Sequence, residues 1–151
     1  MSTDPPSESA NISSQTRTWW LLLAAWLIAL AATLGAIFIG EVMSQTPCLF
    51  CWYQRIFMFP LALILLIACM RDDSGIWRYA LPLALIGAGF ALYHSLLYGG
   101  IIAEPIVQCG AGPSCSSANM SLFGWLPIPI LSLIAFSAIS ILLFLARRRS
   151  S

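Results

Sequence analysis

The chain has 151 residues, 60% of them hydrophobic and only 9% charged, and its formal charge is +1. With a mean hydropathy of +0.87, it carries more apolar surface than a water-soluble domain of this length needs, which excludes an ordinary soluble enzyme. No basic patch lies away from the ends of the apolar runs, so nothing in the charge pattern suits nucleic acid.

Met1 to Thr16 is polar, rich in Ser, Pro and acidic residues, and has no apolar periodicity; it reads as a disordered tail. Trp19 to Ile39 then runs uncharged for the roughly 20 residues that a hydrocarbon core of about 30 Å demands of a helix. That is too long for a signal peptide, whose apolar region is short and ends in a cleavage site. It reads as a first, uncleaved membrane span, with alanines that either let neighbouring helices approach closely or simply favour helix. Gly40 to Thr46 is a short polar loop. A second helix is expected from Pro47 to Met70, with Thr46 as N-cap, Pro47 as first helical residue and Pro60 as the site of a kink.

Arg71 to Gly75 is a tight charged turn between antiparallel neighbours. The third helix is expected over Tyr79 to Tyr98, with Pro82 in its first turn, and a longer loop from Gly99 to Gly124 follows. The fourth is expected over Trp125 to Ala146 and is stopped by Arg147, Arg148 and Arg149. The reading is therefore an all-α, polytopic membrane protein. A four-helix domain over residues 17–147 lies between the polar tail (1–16) and a short basic one (148–151).

Positive residues in short loops stay on the cytoplasmic side of a membrane. Arg17, Arg71, Arg78 and Arg147 to Arg149 all flank one side, whereas the loops Gly40 to Thr46 and Gly99 to Gly124 contain no Lys or Arg. Both termini are thereby expected in the cytoplasm, and the cysteine-bearing segments outside, where disulfides form and persist. Trp19, Trp20, Trp52, Tyr53, Trp77, Tyr79, Tyr98 and Trp125 fall at predicted helix ends, as an interfacial aromatic belt requires.

Chemistry concentrates in Cys48-Leu49-Phe50-Cys51, at the start of the second helix. On a helix, Cys48, Cys51 and Arg55 share one face. The positive end of the peptide dipoles favours thiolate there, and so reactive sulfur. A C-x-x-C also suits zinc or a structural bridge, and both readings stay open at this point. Cys109 and Cys115 form a second pair on the same side, with Gly and Pro between them; one rigid and one flexible pair suit thiol-disulfide exchange. Arg55 departs from the positive-inside pattern at the membrane boundary, where a charge either has a functional partner or snorkels. Its fork of donors could hold a thiolate or the negative charge developing on a reduced small molecule. His94 lies at a similar depth near the outer end of the third helix, as a packing residue or a functional one. Glu41 is either a partner for Arg55 or a solvated loop residue, and Cys69 reads as a small buried apolar residue.

The run Pro47-Cys48-Leu49-Phe50-Cys51-Trp52-Tyr53-Gln54-Arg55-Ile56-Phe57-Met58-Phe59-Pro60-Leu61 resembles the PCxxCWYQRxxMxPL signature of the disulfide bond formation protein B (DsbB) family, in its short BdbC-type form. Cys109 to Ser116 resembles the compact second pair of those members, and Ile128 to Phe136 their IPxLxLIAF fourth helix. The resemblance implies a quinone-reducing thiol-disulfide oxidoreductase of the cytoplasmic (inner) membrane. It would reoxidise a thioredoxin-fold thiol oxidase of the DsbA or BdbD type. By that resemblance the partner attacks the Cys109/Cys115 disulfide at Cys109, and electrons pass to Cys48/Cys51 through a bridge from Cys48 to Cys109. Cys51 then reduces a quinone, ubiquinone or menaquinone, beside Arg55 and His94. Only five residues separate Cys109 from Cys115, fewer than in the longer members, so the large loop rearrangement of those members need not carry over. The contrasting reading is a four-helix membrane protein whose outer loops are merely stapled by disulfides, which would have potentials below about −300 mV.

Overall fold

The computed structural model of the chain describes residues 6–102, 121–122 and 126–150. Four long helices make up nearly all of this: α1 over Pro6–Ile37, α2 over Leu49–Arg71, α3 over Trp77–Tyr98 and α4 over Ile128–Ser150. Each supplies a stretch long and apolar enough to cross a membrane: Gln15–Val42, Leu49–Arg71, Trp77–Tyr98 and Ile128–Arg148. The expected all-helical, four-span architecture is the one observed. The addition is a minimal antiparallel pair, β1 (Ser121–Leu122) with β2 (Leu126–Pro127), just before α4.

The helix ends differ from expectation in instructive ways. α1 starts at Pro6, so most of the segment expected to be a disordered tail is helical. Pro is at home in the first turn of a helix, and once a membrane span has nucleated the helix, extra turns cost little. At its other end α1 passes directly into a π-helical turn, Phe38–Val42, where a loop was expected from Gly40 onward. α2 begins after Cys48, not after Thr46: Cys48 is the N-cap, with φ −71° and ψ 171°, and its carbonyl accepts the first helical hydrogen bond, from Trp52 N at 3.2 Å. No side chain caps this end, so the start is set by the tertiary placement of the Cys48 thiol and not by local capping preference.

α2 runs on through Pro60 and ends at Asp72, which takes the left-handed conformation (φ 53°). Asp73 then accepts a hydrogen bond from Gly75 N at 2.9 Å and opens a single 3-10 turn, Ser74–Ile76, that leads straight into α3. α3 therefore starts two residues earlier than expected, and Pro82 falls in its second turn. Its C-terminus is a Schellman motif: Gly100, with φ +69°, donates to Leu97 O at 3.1 Å, and Ile101 donates to Leu96 O at 3.1 Å. α4 begins three residues later than expected because Leu126 and Ile128 each precede a proline, which disfavours helical backbone, and because β2 holds the chain extended. It continues through the arginines to Ser150, since Arg is a good helix former and ends the membrane span without ending the helix.

Each helix packs against two neighbours, α1 on α2, α2 on α3, α3 on α4 and α4 back on α1. Inside this ring, small residues of α1 and α3 (Ala25, Ala29, Ala84, Ala91) face larger ones of α2 and α4 (Leu61, Leu65, Phe136, Ile139). Small residues let helix backbones approach, and close packing is what holds helices together where lipid is as apolar as Leu. The large apolar side chains left on the outside, such as Leu34, Leu63 and Ile134, are more than half exposed and suit acyl chains.

The ring has two distinct ends. At one, Gln15 Nε2 donates to Asp72 Oδ2 (3.0 Å), Trp19 Nε1 donates to the Cys69 carbonyl (3.3 Å), and the Arg147 guanidinium lies 4.7 Å from the centre of the Trp77 ring. At the other end lie Cys48, Cys51, Arg55 and His94, beside the start of α4.

Candidate functional site

The two sulfurs at the start of α2 lie 3.3 Å apart, within about 1.3 Å of the length of a disulfide bond. They are not equivalent. Cys48, as N-cap, is fully buried and turned toward α3, where His94 Nε2 lies 3.6 Å from its sulfur. Cys51, one turn into the helix, lines a cavity of about 800 Å³ bounded by α1, α2 and α4. The face that the sequence assigns jointly to Cys48, Cys51 and Arg55 thus divides: Cys51 and Arg55 look into the cavity, and Cys48 looks away from it.

His94 is fully buried on α3, and its orientation is fixed from both sides. Gln54 Nε2 lies 3.0 Å from His94 Nδ1, and the Phe50 ring stacks on the imidazole with centroids 5.8 Å apart. When Gln54 donates to Nδ1, the imidazole proton sits on Nε2, where it faces the Cys48 sulfur. An amide rotated by 180° presents Oε1 instead and supports the other tautomer. The sequence put His94 at the depth of Arg55, and the resemblance put both beside the quinone; the structure sets His94 against Cys48, with Gln54 between it and the cavity.

Arg55 donates to the Ala36 carbonyl at 2.7 Å, and its guanidinium lies 5.6 Å from the centre of the Trp52 ring. It thereby ties α2 to the end of α1 and does not form the ion pair with Glu41 that the sequence left open. Gly40 in the π turn makes room for it: a Cβ there would sit 3.0 Å from one guanidinium nitrogen. π turns inside helices are frequent at functional sites, and this one sits where the arginine meets the cavity. Cys69 is part-buried against the core at the opposite end of α2, in keeping with a packing role. Cys109 and Cys115 lie outside the described residues.

Gln54 is the residue that sequence reasoning missed. It is buried, 7% exposed, yet it reaches both the cavity and His94. The signal was present: an amide in an otherwise apolar helix, three residues after Cys51 and adjacent to Arg55, must find a partner.

The cavity walls are mostly apolar, drawn from residues such as Ile28, Ala32, Met58, Leu131 and Ala135, and Cys51, Gln54 and Arg55, within about a turn of one another on α2, are among the polar groups that line it. A mostly apolar chamber with a few donors in its wall is of a kind that would suit a quinone head with an isoprenoid tail. The guanidinium and amide are the groups that would hold the ring oxygens.

These features define a class: a multi-pass helical membrane protein that presents a closely spaced dithiol between a buried histidine and a largely apolar chamber. Comparison with known proteins narrows it. The family model for disulfide bond formation protein DsbB matches residues 16–146, and the chain belongs to that family. It is 60% identical over 135 residues to a probable disulfide formation protein of Metapseudomonas resinovorans, spanning 89% of this chain and 94% of the relative. It is 44% identical over 137 residues to a probable disulfide formation protein of Deinococcus radiodurans, spanning 85% and 89%. It is 41% identical over 130 residues to disulfide bond formation protein C of Bacillus subtilis, spanning 86% and 94%. No solved structure matches the chain. Membership places the chain among membrane proteins of disulfide-bond formation, acting by thiol-disulfide exchange.

Proposed function

We propose that the chain reoxidises a thioredoxin-fold dithiol partner of the DsbA or BdbD type and delivers the electron pair, through its two cysteine pairs, to a membrane quinone. The observation that carries this reading is the division of labour at the thiols. Cys51 lines the chamber with Arg55 and Gln54, while Cys48 is turned to the protein side against His94. A bound quinone would supply the electron-pair acceptor.

The chain's own residues do the rest. The partner's thiolate attacks the Cys109/Cys115 disulfide, and one of the released sulfurs exchanges with the Cys48/Cys51 pair. His94 Nε2, held by Gln54, stands where it can donate a hydrogen bond to a Cys48 thiolate or take its proton. Arg55 contributes a fixed positive charge to the end of the chamber that Cys51 lines, where charge develops during reduction. The apolar walls keep water from the reacting end. The arginine-rich end of the ring faces the cytoplasm, both termini lie there, and the thiols face the periplasm or extracytoplasmic space.

The test is quinone reduction followed spectroscopically with a reduced thioredoxin-fold partner, with each cysteine pair replaced in turn. Cys51→Ser is expected to abolish turnover while leaving the helices intact by far-UV circular dichroism. Full turnover in that variant would overturn the mechanism.

A further inference from the structure

Besides exchanging disulfides, the buried end of the site has the makings of a metal centre. We propose that the reduced chain binds one thiophilic divalent cation of the zinc class through Cys48 Sγ, Cys51 Sγ and His94 Nε2. Ligand atoms of these three residues all lie within 4.8 Å of one another. For tetrahedral zinc, bond lengths of about 2.3 Å to sulfur and 2.0–2.1 Å to nitrogen place two sulfurs about 3.8 Å apart and sulfur and nitrogen about 3.6 Å apart. The Cys48 sulfur and His94 Nε2 are already 3.6 Å apart. The two sulfurs, at 3.3 Å, need to part by roughly half an ångström, which a side-chain rotation at an N-cap and first helical turn can supply.

The surroundings are those of a metal site as well as of a thiol site. A ligating imidazole carries its proton on the other nitrogen and gives it to an outer-shell acceptor, which fixes ring orientation. Here that nitrogen is Nδ1, which faces the Gln54 amide with Nε2 at 3.0 Å; rotating the amide by 180° brings Oε1 there as the acceptor. Phe50 stacked on the ring holds it further. Of the three ligands, Cys51 lines the chamber, so entry and a fourth ligand, a water, lie on that side.

Binding converts two thiols and one cation into a bis-thiolate complex and releases two protons. It requires the dithiol, because a disulfide has no thiolate to offer. A loaded site cannot close its disulfide until the metal leaves, so the cation acts as a redox-gated brake. Binding itself is independent of the quinone reading, whereas its effect on turnover rests on it.

The test uses the full-length chain in detergent with Cys69→Ala, Cys109→Ser and Cys115→Ser, reduced by a phosphine, with folding followed by far-UV circular dichroism. Titration with Co2+ is expected to give one equivalent bound with the visible absorption of tetrahedral thiolate coordination, and none in the oxidised chain. His94→Ala should weaken binding more than about 100-fold, beyond the roughly 10–100-fold expected of the outer-shell change Gln54→Leu. X-ray absorption of the zinc-loaded chain reads the ligands without altering residue 94, and two sulfurs with one imidazole nitrogen are expected. Absence of Co2+ binding by the folded reduced chain, unchanged affinity in folded His94→Ala, or a coordination shell without imidazole would each overturn the proposal.

Discussion

At the scale of single residues, the site turns on the unequal surroundings of two sulfurs separated by one helical turn. Cys48 is fully buried and Cys51 opens to the chamber, so a small membrane-permeant maleimide added to the reduced chain should modify Cys51 before Cys48. Peptide mass spectrometry over a time course checks this; earlier modification of Cys48 would contradict the placement. Gln54 offers a second check. Gln54→Leu keeps the side-chain bulk but leaves His94 Nδ1 without its buried partner, at a cost of about 1–3 kcal/mol. A double-mutant cycle with His94→Ala in thermal unfolding should show strong coupling, because once the imidazole is gone the amide has nothing to satisfy. Additive losses would mean that the contact contributes nothing to stability.

The residue scale is also where the sequence was least complete. That Cys48, Cys51, Arg55 and His94 gather at one end of the bundle was legible from residue type, spacing and depth. What spacing could not carry was direction. An N-cap residue has non-helical backbone, so helical periodicity does not apply to Cys48, and its thiol turned to α3. His94 was placed by depth alone, and depth does not say which side of a helix pair a side chain enters.

At the scale of elements, the contacts between helices show which small residues are required. Gly87 on α3 faces Phe136 on α4 so closely that a Cβ would stand 2.3 Å from a ring carbon. Gly87→Ala should therefore destabilise the bundle by about 1–3 kcal/mol, the usual cost of overpacking. Phe136→Leu in the same chain should recover part of that loss in the melting temperature, and no recovery would show that the strain lies elsewhere. Gly40 makes the opposite kind of close approach, because what its Cβ would meet is the mobile end of Arg55, at 3.0 Å. Gly40→Ala should leave the melting temperature nearly unchanged while slowing the proposed quinone reduction. The existence, number and order of the four helices followed from apolar run length, which a bilayer constrains tightly. Their ends did not, because they depend on interactions that composition does not record: the Schellman closure at Gly100, the left-handed Asp72, and the proline-held extended segment before α4.

At the scale of the whole molecule, the bundle is polarised. Arg17, Arg71, Arg78, Arg147 and Arg148 belong to the end that holds the Trp77–Arg147 contact, and Arg55 alone among the described arginines sits at the thiol end. Charge asymmetry of this kind sets membrane orientation when it lies in short loops close to the spans, and the α2–α3 connection is such a loop, five residues made of Asp72, Asp73 and one 3-10 turn. The thiols and the arginines are therefore expected on opposite sides of the membrane. A reporter phosphatase that is active only outside the cytoplasm should be active when fused after Gly100 and inactive when fused after Arg78 or after Ser151. The reverse pattern would put the dithiol in a reducing compartment, where disulfides do not persist, and would remove the ground for exported-protein chemistry altogether. The same experiment with Arg71→Glu and Arg78→Glu together asks whether those two charges set the orientation. If the terminal arginines Arg147 to Arg149 suffice, the fusion pattern should persist. If it collapses, the short loop between α2 and α3 is the element that decides which face the thiols meet.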